Sequence, residues 1–211
     1  MSEPYLELAG LGVATVYEAA GRRGLIDVPL VQIVPGSRAA GPARTVRCGQ
    51  GDNLMAHAVL DDVQPGDVVV LTLPEPAPVA LIGDLLAIQA KVRGVAALLV
   101  DAAVRDVEEL LELGLPIWSR FVRVRGADKA VVGAIDVPVT VGETVIRPGD
   151  IVVLDADGAI VVERDRLEEV LEAARARSEH ETERRVQLEQ GALTYDLDGL
   201  RELAEDRVRK E

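Results

Sequence analysis

Three charged residues near the middle of the chain have the types and spacing of a small-molecule site. Asp84 lies in the segment Gly83-Asp84-Leu85-Leu86, and twenty positions separate it from the adjacent pair Arg105-Asp106. A carboxylate beside an open, wet crevice suits Mg²⁺ or Mn²⁺, which keep several of their own waters. A neighbouring arginine supplies a fixed positive charge where an oxyanion forms. These residue types favour a small 2-oxo acid bound to a divalent metal.

The elements around these residues predict a β-α-β-α unit. A strand over residues 67–73 precedes a helix with apolar positions over 85–92, and the apolar run 95–100 is typical of a strand buried on both faces. A second helix carries Asp106 in its first turn and ends at Gly114. The predicted fold class is therefore α/β with a parallel sheet.

The ends of these elements predict a single crevice. In open parallel sheets, ligands bind where the carboxyl ends of strands meet the amino ends of the following helices. We expect Asp84, Arg105 and Asp106 to face this crevice, and the free backbone amides of Leu85 and Leu86 to hold a carboxylate. The alternative is structural, because an acidic residue in a first turn also stabilises its helix and Arg105 can be an ordinary ion-pair partner.

Composition limits the classes of protein to which the chain can belong. Its 211 residues can bury the core of one large domain, which we predict over 1–211, with two compact lobes as the alternative. A balance of 36 acidic against 23 basic residues argues against a nucleic acid partner. The single Cys48 cannot form an internal disulfide, no stretch approaches the roughly 18 apolar residues of a membrane span, and no apolar signal opens the chain. We expect a cytoplasmic protein with no nucleic acid and no membrane partner.

Beyond this unit, short repeats and a long helix are predicted. Pro65-Gly66-Asp67 and Pro148-Gly149-Asp150 each form a turn that leads into an apolar strand, and Asp157-Gly158 predicts a hairpin. A charged helix is expected over 165–190. An apolar stripe runs along its first half only, formed by Leu167, Val170, Leu171 and Ala174. Its second half is either a solvated face or a helix that reaches another subunit.

Several polar residues have both a functional and a structural interpretation. His57 lies in a helix that Asp52 or Asn53 caps, and a structural role is favoured because no second His or Cys stands at ligand spacing. A glycine-containing loop carries the basic residues Arg123, Arg125 and Lys129. They either bind distal carboxylates of a substrate or are simply solvated.

The motif Asp84-x20-Arg105-Asp106 resembles that of the 4-hydroxy-4-methyl-2-oxoglutarate and 4-carboxy-4-hydroxy-2-oxoadipate aldolases, which belong to the superfamily of the regulator of ribonuclease activity A. The resemblance covers most of the chain in the same order: Gly41-Pro42-Ala43-Arg44-Thr45-Val46, Gly51-Asp52-Asn53-Leu54, Pro65-Gly66-Asp67-Val68, Val100 to Asp106, and Pro148 to Gly158. Ribonuclease regulators typically lack the acidic residue after the arginine, so Asp106 favours the aldolase branch.

The resemblance implies an RraA-like β/β/α swivelling-type domain with a long C-terminal helix. It also implies a homotrimer or a hexamer (a dimer of trimers) with active sites between subunits, so that 165–211 is a helical extension contacting a neighbouring subunit. A glutamate on this helix would support a metal-bound water in the neighbour's site. Glu181 is the best match, with Glu183 and Glu179 as alternatives.

The same resemblance implies a class II pyruvate aldolase that uses Mg²⁺ or Mn²⁺. Asp106 would bind the metal, Asp84 would hold a metal-bound water, and Arg105 would bind the C2 oxygen and stabilise the enolate. The segment Gly83-Asp84-Leu85-Leu86 would complete the substrate site, with the amides of Leu85 and Leu86 on the pyruvyl carboxylate.

The expected reaction is cleavage of a hydroxylated 2-oxo acid to pyruvate and a second keto acid. Oxaloacetate decarboxylation passes through the same enolate. One alternative keeps the site but makes oxaloacetate or another 2-oxo acid the physiological substrate. The other is a non-enzymatic regulator that binds a ribonuclease through an acidic surface.

Overall fold

The computed structural model describes residues 3–208, with side chains for 3–205. The chain divides into two units, of which the first ends at Ala174 and the second begins at Arg175. The first unit contains a nine-stranded mixed sheet and a separate two-stranded hairpin. No described helix is both long and apolar enough to cross a membrane.

Over residues 3–174 the first unit combines five short helices with eleven strands, and its last six strands follow one another without an intervening helix. Its helices are α1 (Pro4–Leu11), α2 (Val13–Ala19), α3 (Leu54–Val59), α4 (Asp84–Val92) and α5 (Val107–Leu113). Its strands are β1 (Val31–Gln32), β2 (Ala39–Arg47), β3 (Val68–Thr72), β4 (Ala80–Ile82), β5 (Ala97–Val104), β6 (Ile117–Val122), β7 (Ala134–Ile135), β8 (Val139–Val141), β9 (Thr144–Ile146), β10 (Ile151–Asp155) and β11 (Gly158–Val162). A 3-10 turn at Arg164–Arg166 leads into α6 (Leu167–Glu189), and α7 (Thr194–Leu197) and α8 (Leu200–Val208) follow in the second unit.

The centre of the sheet is parallel and buried. The strand order is β1-β6-β5-β3-β2-β10-β11, and β6, β5, β3 and β2 pair in parallel. All residues of β3 and β5 are buried, as expected of strands covered on both faces. Strand β4 pairs with β5 beyond the end of β3. Leu71 of β3 lies opposite Val100, and Ala80 of β4 lies opposite Ala103.

Apolar clusters hold these strands in place. One joins β3, β4 and β5 to α3, α4 and α5, with Leu71, Leu98 and Leu110 fully buried. A second contains the β8–β9 hairpin and Trp118, whose indole N–H donates to the carbonyl of Asp155 (2.8 Å). Truncating a leucine in such a core costs about 2–5 kcal/mol. The strand ends that carry the candidate site are therefore firmly positioned.

The two Pro-Gly-Asp sequences form the same turn, as predicted. Asp67 Oδ2 accepts the backbone N–H of Gln64 and Asp150 Oδ2 accepts that of Arg147, each at 2.8 Å. Each aspartate thus closes its own turn just before a buried strand. The hairpin predicted at Asp157-Gly158 is also confirmed, since β10 and β11 pair antiparallel across it.

Two features differ from the predicted β-α-β-α unit. The strand predicted over 95–100 extends to Val104, because pairing with β4 and β6 continues past the apolar run. Asp106 is therefore the residue before α5 and not a member of its first turn. The prediction also lacked β4, whose three residues are too few for a periodic signal.

The long helix predicted over 165–190 is confirmed as α6. Val170, Leu171 and Ala174 of its apolar stripe are buried. From Arg175 to Glu205 no residue is buried, so the part of the second unit whose side chains are described has no apolar core of its own.

Candidate active site

The first turn of α4 presents backbone N–H groups to the predicted crevice. Gly83 is the N-cap residue, and its carbonyl accepts the N–H of Ala87 (3.1 Å). The N–H of Asp84 donates to Asp106 Oδ2 (3.3 Å). Leu85 and Leu86 follow in the first turn, where a helix leaves its N–H groups without intrahelical acceptors. This end of α4 is therefore suited to a carboxylate.

Asp106 caps α5 with its backbone, while its side chain turns to the site. It has left-handed backbone angles (φ 60°, ψ 46°), and its carbonyl accepts the N–H of Leu110 (2.9 Å). The carboxylate makes no capping hydrogen bond, and Oδ2 lies 3.5 Å from Arg105 Nε. A positive φ outside glycine is uncommon and is often found at functional sites.

Gly83 permits the close approach of these two segments. A Cβ at this position would overlap Asp106 Oδ2 and would lie 3.2 Å from Arg105 Nε. The backbone of Gly83 is extended, with φ −131°, so other residues could adopt its conformation. The requirement for glycine therefore comes from packing.

A bulge in β5 sets the direction of the residues that follow it. The register of β5 against β6 shifts between Val100 and Ala103, so that two residues of β5 face the single Arg120. Buried Asp101 lies in this bulge and pairs with Arg120 (Oδ1–Nε 2.5 Å). Because an extra residue reverses the alternation of side chains across a strand, the bulge determines which way Arg105 points.

The structure brings most of the predicted site residues to one cavity of about 150 Å³. Its lining consists of Asn53, His57, Ala80, Leu81, Gly83, Asp84, Leu85, Leu86, Arg105, Gly126, Ala127 and Lys129. Asp106 lines an adjoining cavity of about 500 Å³, which Arg105 and Arg123 also line. Arg105 thus contributes to both cavities.

Sequence reasoning did not assign Asn53 and His57 to the site. Asn53 is buried at the start of α3, where its Nδ2 donates to the carbonyl of Leu81 (2.9 Å) and its Oδ1 has no hydrogen-bond partner. His57 follows one turn later and lines the same cavity. The segment Gly51-Asp52-Asn53-Leu54, which carries part of the resemblance found in the sequence, was the available signal.

Asp52 fixes the loop that brings Lys129 to the cavity. Its Oδ2 accepts the N–H groups of Ala130 (2.6 Å) and Val131 (3.0 Å), and its Oδ1 accepts that of Leu54 (2.8 Å). Burial alone would raise the pKa of Asp52, but these hydrogen bonds outweigh it and the pKa lies below its ordinary value. The ionised carboxylate therefore ties the loop to α3.

His57 faces the cavity as a neutral imidazole at neutral pH. Burial lowers the pKa of His57, and the positive charge of Lys129 lowers it further. A neutral ring donates one hydrogen bond and accepts another. Together with Lys129, it suits a ligand that carries a second polar group.

Few groups on this chain can hold a metal. No cluster of three or more His, Cys, Asp or Glu side chains within residues 3–205 is arranged around a metal position. Asp84 and Asp106 lie on neighbouring segments joined by a hydrogen bond, and their two carboxylates are too few for a closed zinc or calcium cage. They fit Mg²⁺ or Mn²⁺, because such an ion binds through one or two carboxylates and keeps several waters.

Glu181 lies on α6 in the second unit. There it forms an ion pair with Arg177 (Oε1–Nε 2.8 Å), while Glu179 and Glu183 are exposed. Its contribution to the site of a neighbouring subunit stays a prediction.

Known proteins share this sequence pattern. The RraA-like family model, Aldolase/RraA, matches residues 13–161. A protein of Halalkalibacterium halodurans, provisionally named a 4-hydroxy-4-methyl-2-oxoglutarate aldolase, is 38% identical over 135 residues. The match covers 64% of each of the two chains, so this chain spans less than two thirds of that relative's length.

Two solved structures have the same fold. A Streptomyces coelicolor protein, described as an unusual member of the RNase ES inhibitor RraA family, is 32% identical with a TM-score of 0.75, over 88% of this chain and 98% of that one. The RNA-processing inhibitor RraA from Thermus thermophilus is 28% identical with a TM-score of 0.60, over 66% and 82%. The predicted fold class and resemblance are thus confirmed, and the chain belongs to the RraA-like family.

Proposed function

We propose that the protein is a divalent-metal-dependent pyruvate aldolase acting on 4-hydroxy-4-methyl-2-oxoglutarate or 4-carboxy-4-hydroxy-2-oxoadipate. The observation that carries this proposal is the convergence of Asp84, Arg105 and the first turn of α4 on one cavity, with Asp106 in contact with both segments. The name of the Halalkalibacterium halodurans relative supports the same class of reaction.

The pyruvyl half of the substrate binds at the start of α4. The N–H groups of Leu85 and Leu86 donate to its carboxylate, where the helix dipole favours negative charge. The guanidinium of Arg105 donates to the C2 oxygen. Because the guanidinium of Arg105 is only half exposed and carries a positive charge, it stabilises the enolate more than the ground-state carbonyl.

Asp106 would bind the divalent ion, and Asp84 would hold a metal-bound water. Bound there, Mg²⁺ or Mn²⁺ would supply Lewis-acid polarisation of the 2-oxo group. The N–H of Asp84 and the guanidinium of Arg105 orient the Asp106 carboxylate for this purpose. Asp106 has left-handed backbone angles, and its carboxylate makes no hydrogen bond to the N–H groups of α5.

Asp84 accepts the proton that starts the cleavage. It is the one carboxylate lining the cavity within the described residues, so the proton of the C4 hydroxyl passes to it directly or through a water. The C3–C4 bond then breaks, and its electron pair forms the pyruvate enolate facing Arg105. Return of a proton to C3 gives pyruvate, and C4, whose hydroxyl has lost its proton, becomes the carbonyl carbon of the second keto acid. Oxaloacetate needs no base, because its C4 carboxylate is ionised and leaves as CO₂ to give the same enolate.

The distal carboxylate of the substrate binds to two polar side chains that take no part in bond breaking. Lys129 supplies the positive charge, and the neutral ring of His57 supplies a hydrogen-bond donor. Both groups line the same cavity as Arg105, so one ligand with two carboxylates can reach them together.

Pyruvate release tests the proposal directly. We expect turnover of oxaloacetate and of 4-carboxy-4-hydroxy-2-oxoadipate with Mg²⁺ or Mn²⁺, its loss with a chelator, and a decrease of about 100-fold or more for Arg105→Ala. Asp61→Asn is the control, since that exposed carboxylate lies outside the cavity lining. Near-normal turnover by Arg105→Ala would overturn the mechanism.

The expected assembly is a homotrimer or a dimer of trimers in which Glu181 reaches a neighbouring site. Light scattering on the full chain determines the assembly. Mixing Glu181→Gln chains with Arg105→Ala chains then tests the shared site, because mixed oligomers would regain activity only if one subunit completes the site of another.

A non-enzymatic role is the second candidate, and the two structural relatives described as RNA-processing or RNase inhibitors favour it. The net charge of −13 gives the chain an acidic surface for a protein partner. A metal-independent complex with a ribonuclease, together with no pyruvate release from any 2-oxo acid, would establish this role in place of the aldolase.

A further inference from the structure

A second cavity in the first unit is rich in arginine. Its volume is about 290 Å³, and it shares no lining residue with the candidate active site. Three guanidinium groups line it, those of Arg23, Arg147 and Arg166, and Glu163 is the one carboxylate in its lining. We call it the arginine cavity.

Two of these three arginines form no close ion pair. Arg166 is engaged, since its guanidinium binds the carboxylate of Glu169 (2.8 and 3.4 Å). Arg23 and Arg147 form no ion pair within 4.0 Å among residues 3–205. The hydrogen bond from Arg166 lowers the pKa of the Glu169 carboxyl, and the charge of Arg23 lowers it further. The three guanidinium groups face the carboxylates of Glu163 and Glu169, which leaves a local positive charge in a chain of 36 acidic and 23 basic residues.

The backbone that carries these arginines is fixed. Arg147 opens the second Pro-Gly-Asp turn, where its N–H is held by buried Asp150, whose other oxygen accepts the N–H of Arg164 (3.2 Å). Arg23 is followed by Gly24, whose carbonyl accepts the N–H of Val161 (2.8 Å). Both side chains therefore leave from rigid points on opposite segments of the chain.

Gly24 also brings its segment close to the sheet. It has a positive φ of 79°, and a Cβ there would overlap the carbonyl of Val161. The next residue, Leu25, bridges to Ile160, and its carbonyl accepts the hydroxyl of Thr144 (2.5 Å). The walls of the cavity are thus held by hydrogen bonds to β9 and β11.

We propose that the arginine cavity binds a compact dianion, either phosphate or a short dicarboxylate. Guanidinium groups donate paired N–H bonds to such oxyanions and cannot lose their charge. A cavity of this volume has room for a small oxyanion with several waters. The site is independent of the proposed aldolase chemistry, since it contains none of the residues assigned to that reaction.

Calorimetric titration of the full chain with phosphate and, separately, with malonate at constant ionic strength tests this site. We expect saturable binding of one anion per chain, at least 10-fold weaker in the double variant Arg23→Gln/Arg147→Gln. The tighter of the two anions identifies the type of ligand. Far-UV circular dichroism and Trp118 emission show whether each variant is folded.

Two matched variants separate this site from general charge effects. Arg22→Gln removes the same charge next to Arg23, but Arg22 pairs with Glu18 and does not line the cavity. Arg105→Gln removes the arginine of the candidate active site. Unchanged affinity in both supports the proposal. Absence of binding in the wild type, or binding that persists in the double variant and disappears with Arg105→Gln, overturns it.

Discussion

The carboxylate of Asp106 accepts the backbone N–H of Asp84, with Oδ2 and N 3.3 Å apart. This hydrogen bond joins the residue before α5 to the first residue of α4, so the two ends of the Asp84-x20-Arg105-Asp106 motif are in direct contact. The spacing of the motif is thus the length of chain needed to form α4, return along β5 and bring Asp106 back to the start of the helix.

Replacing Asp106 separates its structural role from its chemical role. Asp106→Asn keeps an oxygen that can accept the N–H of Asp84 but removes the charge, so we expect near-normal unfolding and loss of metal-dependent turnover by about 100-fold or more. Asp106→Ala removes the acceptor as well and should cost about 1 kcal/mol in unfolding free energy. Chemical denaturation and pyruvate release measure the two effects. Equal turnover in Asp106→Asn and wild type would contradict the assignment.

His57 should titrate below its ordinary pKa of 6.5. A depressed pKa in the folded state stabilises the protein above the unfolded-state pKa, and this stabilisation is lost as pH falls through the folded-state value. NMR of the imidazole protons follows the titration, with His180→Gln to assign the second histidine. Lys129→Gln should raise the pKa of His57 by removing a nearby positive charge. A titration above 6.5 would show that His57 does not lie in this cavity.

Cys48 should be unreactive in the folded protein. Burial raises the pKa of its thiol from 9.0 to about 12, which lowers the thiolate fraction at pH 8 by ~1000-fold. As the single cysteine, it should react with one equivalent of a disulfide reagent only when the chain unfolds. Reaction at the same rate with and without denaturant would contradict the burial of Cys48, which directly follows β2.

The bulge in β5 should depend on the ion pair between Asp101 and Arg120. Removing the carboxylate with Asp101→Ala leaves a largely buried guanidinium without its partner, which costs roughly 3 kcal/mol or more. We expect the fraction of Asp101→Ala that folds to have a lower kcat than wild type, because Arg105 would be misdirected. Asp101→Glu should restore part of the lost kcat. Denaturation curves and steady-state kinetics test this. A stability loss with unchanged kcat would limit the pair to a structural role.

Those elements of the fold that depend on local sequence were predictable. The Pro-Gly-Asp turns and the Asp157-Gly158 hairpin depend on residues adjacent in the chain, and the stripe of α6 on residues within a few turns. The end of β5 was not predictable, because its last residues are held by pairing with β4 and β6. A bulge leaves no mark in apolar periodicity, so the position of Asp106 before α5 was also missed.

In the candidate site, too, only the residues marked by local sequence were predictable. Asp84 and Arg105 could be assigned because the motif and the ends of predicted elements coincide. Asn53 and Lys129 come from distant parts of the chain, and the hydrogen bonds of buried Asp52 bring them together. Residue spacing does not predict this contact, because it depends on hydrogen bonds between the Asp52 carboxylate and backbone N–H groups far away in the chain.

The proposed chemistry is sensitive to the substitution Gly83→Ala, which adds only one methyl group. A methyl group there would overlap the Asp106 carboxylate oxygen and force that side chain to shift, whereas alanine is compatible with the extended backbone and with the start of α4. A descendant with alanine at this position could inherit the sheet, the helices and every charged residue of the motif and still lack a functioning centre. The charged motif alone would therefore not identify a working relative, and residue 83 should be inspected together with it.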